Sequence, residues 1–154
     1  MKQNSTVKEQ SLNPQPAVRS KAQPASEKLD ERVLATLHAA AEKKAIEPIV
    51  LDLREIASFT DYFVIVSGAN ERQVQAISDE IYESLKKAGH AAARVEGYKT
   101  AEWILLDYGD FVVHVFEQKA RRFYDLERLW RESKRVELPA EFTTTNGSSL
   151  RRES

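Results

Sequence analysis

Apolar side chains recur with two different periods between Ser26 and Phe142, and each period predicts a different kind of element. Leu29, Val33, Leu34, Leu37, Ala40 and Ala41 fall at helical spacing, so a helix is expected to run to about Lys44. Ser26 is its expected N-cap, and Asp30 and Glu31 sit where a helix dipole favours acids. Pro48 ends that pattern and opens IVLDL, a short apolar run that reads as a buried strand; YFVIVSG, from Tyr62, reads as a second. Val74, Ile77, Ile81 and Leu85 then mark one stripe of another helix. Asn70 or Ser67 should cap its start, and Gly89, just beyond Lys86 and Lys87, is a natural C′ residue. AAARVEG, a strand around Trp103, a strand from Phe111 and a short closing helix, YDLERLWRES, complete the order αββαβββα. That order predicts an α/β fold in which helices flank a mixed β-sheet of about five strands. Phe123, Leu126 and Trp130 form a stripe expected to close the core.

The hairpin AEWILLDYGDFVVHVF is the most informative stretch. With Tyr108 and Gly109 as the central turn residues, Asp107 faces Asp110, Leu105 faces Val112 and Trp103 faces His114. Alternation puts Trp103, Leu105, Asp107, Asp110, Val112 and His114 on one face, and Ile104, Leu106, Phe111, Val113 and Val115 on the other. The second face is wholly apolar and should meet the core. The first mixes an aromatic, aliphatics, a histidine and two acids, which suits either solvent or a partner. Opposed aspartates are unfavourable unless one bonds turn amides or meets a cation, for which Arg121 or Arg122 is a candidate.

Composition sets limits around this picture. A chain of 154 residues with 42% hydrophobic and 31% charged side chains suits one globular domain with flexible ends. Residues 1–25 and 143–154 are too poor in large apolar groups to offset ordering and are expected to be disordered tails around a domain at 26–142. The segment Ser26–Phe142 is acidic, with 22 acidic against 17 basic side chains. Nucleic-acid phosphates call for clustered Lys and Arg, so no strong nucleic-acid signal is read, and a basic or neutral protein partner fits better. The absence of cysteine excludes disulfides and thiol chemistry. No apolar run is long enough to span a membrane, and no secretory h-region opens the chain, so a cytoplasmic protein is expected.

Enzymatic readings find little support. Asp107, Asp110 and His114 could in principle hold a divalent ion, but a metal site wants three or more convergent ligands. VSGANERQ lies between a strand and a helix, where phosphates are often cradled, yet it lacks a second glycine at Rossmann spacing and a Gly-Lys-Ser/Thr ending. The three histidines, His38, His90 and His114, stand in no nucleophile motif. No catalytic residue, metal or cofactor is assigned.

TDYFVIVSGANERQVQAISDEI, EGYKTAEWILLDYGDFVVHVF and RRFYDLERLW, in that order and spacing, resemble the ribosomal silencing factor (Iojap-like) family over about Leu29 to Trp130. The resemblance implies a nucleotidyltransferase-like topology. Ser67-Gly68 stands where those enzymes carry a Gly-Ser loop, but no Asp-x-Asp follows, so it implies no catalysis. It further implies binding to the large ribosomal subunit at its fourteenth ribosomal protein, a steric block to small-subunit joining and repression of translation; mitochondrial relatives imply large-subunit assembly as the alternative. By position, the implied contact residues are Trp103, Leu105, Asp107 and Tyr108, with Lys99, His114, Arg121 and Arg122 beside them. Homodimer formation is implied as well.

Overall fold

The computed structural model describes residues 29–143; Ser26, the expected N-cap, and nearly all of both tails lie outside the described residues. Helix α1 spans Glu31–Glu42, and its cap is Asp30, whose carboxylate accepts the Arg32 amide at 2.8 Å. Strand β1, Ile46–Asp52, starts two residues before Pro48 instead of after it. Its pairing register shifts between Ile46 and Ile49, and Glu47 takes a φ of 48°, which accommodates a residue that has no amide to donate. Strand β2 is Tyr62–Gly68, and helix α2 is Glu71–Lys87, with Asn70 accepting the Gln73 amide at 2.9 Å as its cap. Gly89 ends α2 with φ +95°, as its C′ position requires.

Strands β3 (Arg94–Glu96), β4 (Trp103–Asp107) and β5 (Phe111–Glu117) follow, then helices α3 (Gln118–Tyr124) and α4 (Leu126–Leu129), and a two-residue strand β6 (Lys134–Arg135). The six strands form one mixed sheet in the order β3-β4-β5-β2-β1-β6, in which only β2 and β5 run parallel. The sixth strand is too short and too polar to carry a periodic signal. The expected closing helix, YDLERLWRES, shrinks to the four residues of α4, and α3 ahead of it is unexpected; Asp125, left-handed at φ 46°, separates the two.

The two sheet faces are covered unequally. On one, α1 and α2 deliver Val33, Leu37, Val74, Ile77, Ile81 and Leu85 onto Val64, Val66, Ile104, Leu106, Phe111, Val113 and Val115, and Phe142 joins this layer. Burying these side chains is the main favourable term in folding, at roughly 1.5–3 kcal/mol for each large aliphatic one. On the other face Leu51, Leu53, Phe63, Ile65, Val112 and Phe116 are closed by Leu126, with Trp103, Leu105, Ala120 and Trp130 around them. Helix α3 packs on β5 and β2, the centre of the sheet. Among the described residues no helix is long and apolar enough to cross a membrane.

Candidate functional site

Strand β4 carries out the alternation read from its sequence. Ile104 and Leu106 are buried beneath the long helices, while Trp103, Leu105 and Asp107 are half-buried on the opposite face. The β4 side of that face stays partly bare because the short helices α3 and α4 cover the centre of the sheet and reach β4 only through Tyr124, which packs on Trp103.

The hairpin register differs from the expectation by two residues. Trp103 pairs with Phe116, Leu105 with His114 and Asp107 with Val112. The turn residues are Gly109 and Asp110, with the Tyr108 amide donating to the Phe111 carbonyl at 3.0 Å. Gly109 has φ +86° and Asp110 is not left-handed, so glycine takes the first central position of a turn that demands positive φ there. A two-residue slip leaves every side chain on its expected face, but Asp107 no longer opposes Asp110. Asp107 accepts the Gly109 amide at 2.8 Å and pairs with Arg94 at 3.1 Å; Asp110 pairs with Arg32 at 2.9 Å. Neither Arg121 nor Arg122 supplies the cation.

Trp103 is held by its cross-strand neighbour Phe116 and by Tyr124 of α3. Its ring lies 4.9 Å from Phe116 and 4.7 Å from Tyr124, and its indole N–H donates to Nδ1 of His114 at 3.0 Å. An indole only donates, so Nδ1 must be bare and His114 neutral, with its proton on Nε2. His114 is 3% exposed, and burial pushes its pKa from 6.5 down to about 3. Gly97, at φ +81°, sits where any Cβ would collide with the Trp103 carbonyl oxygen, so glycine lets the preceding loop cross the start of β4.

The remaining expected contact residues separate by location. Lys99 is exposed in the β3–β4 loop and Arg122 is exposed on α3. Tyr108 belongs to the helix-covered face, stacked 4.9 Å from Phe111, with its hydroxyl buried and its pKa raised to about 12 by burial. Arg121 is 7% exposed: its guanidinium bonds Glu127 at 2.9 Å, the Glu47 carbonyl at 2.7 Å and Ser67 Oγ at 2.9 Å. His114 and Arg121 are thus internal supports and cannot touch a partner directly. Phe123 departs from the expected core stripe, at 80% exposure. The left-handed Asp125 breaks the helical phase that would have aligned it with Leu126 and Trp130. Leu129 is exposed too, at 67%. The clue available in sequence was Phe123-Tyr124 following two arginines.

The catalytic alternatives meet occupied groups. Asp107 and Asp110 are engaged by arginines and His114 Nδ1 by the indole; among the described residues no three His, Cys, Asp or Glu side chains converge. At the start of α2, Gln73 accepts the Ala69 amide at 2.6 Å while Asn70 accepts that of Gln73, so the helix's own side chains take up amides that could have faced a phosphate. A Cβ on Gly68 would press on the Val74 amide at 3.0 Å, which accounts for that glycine by helix packing.

Residues 26–154 match the family described as "Ribosomal silencing factor during starvation". A protein named ribosomal silencing factor RsfS from Halalkalibacterium halodurans is 41% identical over 102 residues, covering 66% of this chain and 87% of that protein. Its namesake from Bacillus subtilis is 37% identical over 112 residues, covering 71% and 95%. A crystal structure of a Chromobacterium violaceum protein superimposes with a TM-score of 0.66 at 31% identity, covering 73% of this chain and 90% of that one.

Proposed function

The chain belongs to the ribosomal silencing factor family, and from that premise we propose that it docks on the large ribosomal subunit through the fourteenth ribosomal protein. Occupying that protein blocks joining of the small subunit and represses translation in the cytoplasm. The observation that carries this reading is the half-bare β4 face, where Trp103, Leu105 and Asp107 stand together at the edge of the α3–α4 cover, with only Tyr124 of α3 reaching the indole. Trp103 supplies contact area and Leu105 an apolar neighbour. Asp107, already turned by Gly109 and Arg94, supplies direction. Lys99 and Arg122 lie at the margins, and His114 acts by holding the indole. The acidic character of the domain suits a basic ribosomal protein.

Co-sedimentation of the full chain with purified large subunits tests the surface. Central tryptophans often cost 2 kcal/mol or more on truncation, so Trp103→Ala is expected to weaken binding by roughly thirtyfold while leaving the circular-dichroism spectrum intact. A folded Trp103→Ala protein that sediments as the unaltered chain does would overturn the named surface. A subunit-joining assay tests the block: saturating protein should keep the two subunits apart. A homodimer built on the same face would be lost in the same variant, read by light scattering across concentrations.

A further inference from the structure

Charge is segregated within the folded chain. Residues 118–135 carry seven basic side chains and three acidic ones, whereas the rest of residues 26–142 carries ten basic and nineteen acidic. Two of the seven cations are engaged, Arg121 by Glu127 and Lys134 by Glu55. Lys119, Arg122, Arg128, Arg131 and Arg135 are exposed and, among the described residues, make no ion pair. Only Asp125 and Glu132 remain unpaired against them, because Glu127 is taken by Arg121. The averaged charge of the domain hides this local excess, which matters because charges act over about 10 Å in ordinary salt.

Two aromatic rings stand among these cations. On α3, Lys119, Arg122 and Phe123 are spaced i, i+3, i+4 and share one helix face, while Arg121 turns inward. Phe123 is 80% exposed, with Tyr124 packed edge-on at 5.0 Å. A phenylalanine so exposed contributes nothing to the core. Exposed rings flanked by unpaired cations match the chemistry of an unpaired nucleic-acid strand, in which bases stack and phosphates follow the positive groups. Four of the five free cations are arginine, whose planar fork both bonds phosphate and stacks on bases.

We propose that the α3–α4 segment is a surface for single-stranded or looped RNA, with a base stacked on Phe123 and phosphates held by Lys119, Arg122, Arg128 and Arg131. It goes beyond the docking reading because it uses none of Trp103, Leu105 and Asp107 and shares with that surface only Arg122, at its margin. The two surfaces meet at Tyr124, which touches both Trp103 and Phe123. A target carrying protein and RNA side by side would engage both.

Fluorescence anisotropy of the full chain with a labelled single-stranded RNA of about 12 nucleotides tests this, read between about 50 and 200 mM salt. Phe123→Ala should weaken binding roughly tenfold without changing the salt slope. Arg122→Gln should weaken it and make the slope of log K against log salt shallower by about 0.7, the value for one single-strand phosphate contact. Trp103→Ala should bind the RNA as the unaltered chain does. Thermal melts of each variant should match the unaltered chain, since both α3 residues are exposed. No saturable binding at about 50 mM salt would overturn the proposal. So would either α3 variant leaving affinity and slope unchanged, or polyglutamate of equal charge competing as well as the RNA, which would indicate an acidic protein instead. Failure of the docking reading would show in subunit co-sedimentation and not in this titration, so the two fail separately.

Discussion

His114 shows how one side chain can serve a surface it does not reach. Phe63 approaches its ring edge-on at 4.4 Å, Phe116 lies 6.3 Å away, and the Trp103 indole takes Nδ1. No carboxylate bonds it, and Nε2 has no partner among the described residues. An imidazolium there would be desolvated and would lose the indole bond, hence the low pKa of about 3. In the unfolded chain the group titrates near 6.5, so between about pH 6.5 and 3 the unfolded state binds more protons. The contribution of His114 to stability is therefore whole above 6.5 and is lost as pH falls, by up to about 1.4 kcal/mol per pH unit. His114→Phe removes that proton uptake, and its urea midpoint should decline less steeply from pH 6.5 to 4 than that of the unaltered chain. The part of the decline due to Asp30 and Asp52 would remain, because arginine bonds hold both below their ordinary pKa despite opposing burial. Parallel curves for the two proteins would show that His114 does not titrate as its burial requires.

At the scale of elements, α3 depends on one residue for its place. Seven residues are too few for a helix to be stable alone. Arg121 ties it to the end of β2 through Ser67, to β1 through the Glu47 carbonyl and to α4 through Glu127. Removing a buried, multiply bonded charge leaves its partners unpaired and typically costs about 3–5 kcal/mol, so Arg121→Ala should lower the denaturation midpoint markedly. Arg122→Ala, next in sequence but exposed, should stay within about 0.5 kcal/mol. Equal effects would contradict the division of roles. Nothing in Arg121-Arg122 as written distinguishes the two, because two of the partners of Arg121, Ser67 and the Glu47 carbonyl, lie 54 and 74 residues away along the chain. Strands β2, β4 and β5 and helix α2 were legible because each carries its own period and its own ends. The faces of the hairpin were legible for the same reason, and a slip of two residues preserves them. The register was not, since it turns on which central position Gly109 occupies, a choice made by strand twist. The break at Asp125 was not legible either, and with it went the exposure of Phe123.

Across the whole molecule the sheet is an asymmetric sandwich. Helices of 12 and 17 residues bury one face, while helices of 7 and 4 residues close the other. Both proposed contact surfaces lie on the thinly covered side, where a partner adds to an incomplete layer and need not displace a finished one. Opening α3 and α4 exposes Leu126, Ala120 and buried residues of the smaller cluster beneath them, such as Ile65 and Phe116, whereas opening α2 uncovers the fully buried Val74, Ile77, Ile81 and Leu85 and the larger cluster they cover. Local opening is easiest where the least apolar area is lost, so the α3–α4 layer should open below the global free energy of unfolding. Hydrogen exchange reads this directly. Amides of α2, β2 and β5 should exchange only through global unfolding, and those from Phe123 to Trp130 through a smaller opening with a weaker denaturant dependence. Binding the large subunit should slow the second group selectively, because a ligand that requires the closed layer stabilises it by mass action. Protection in α3 equal to that in α2, unchanged when the subunit is added, would mean that the thin layer is rigid by itself and that no partner completes it.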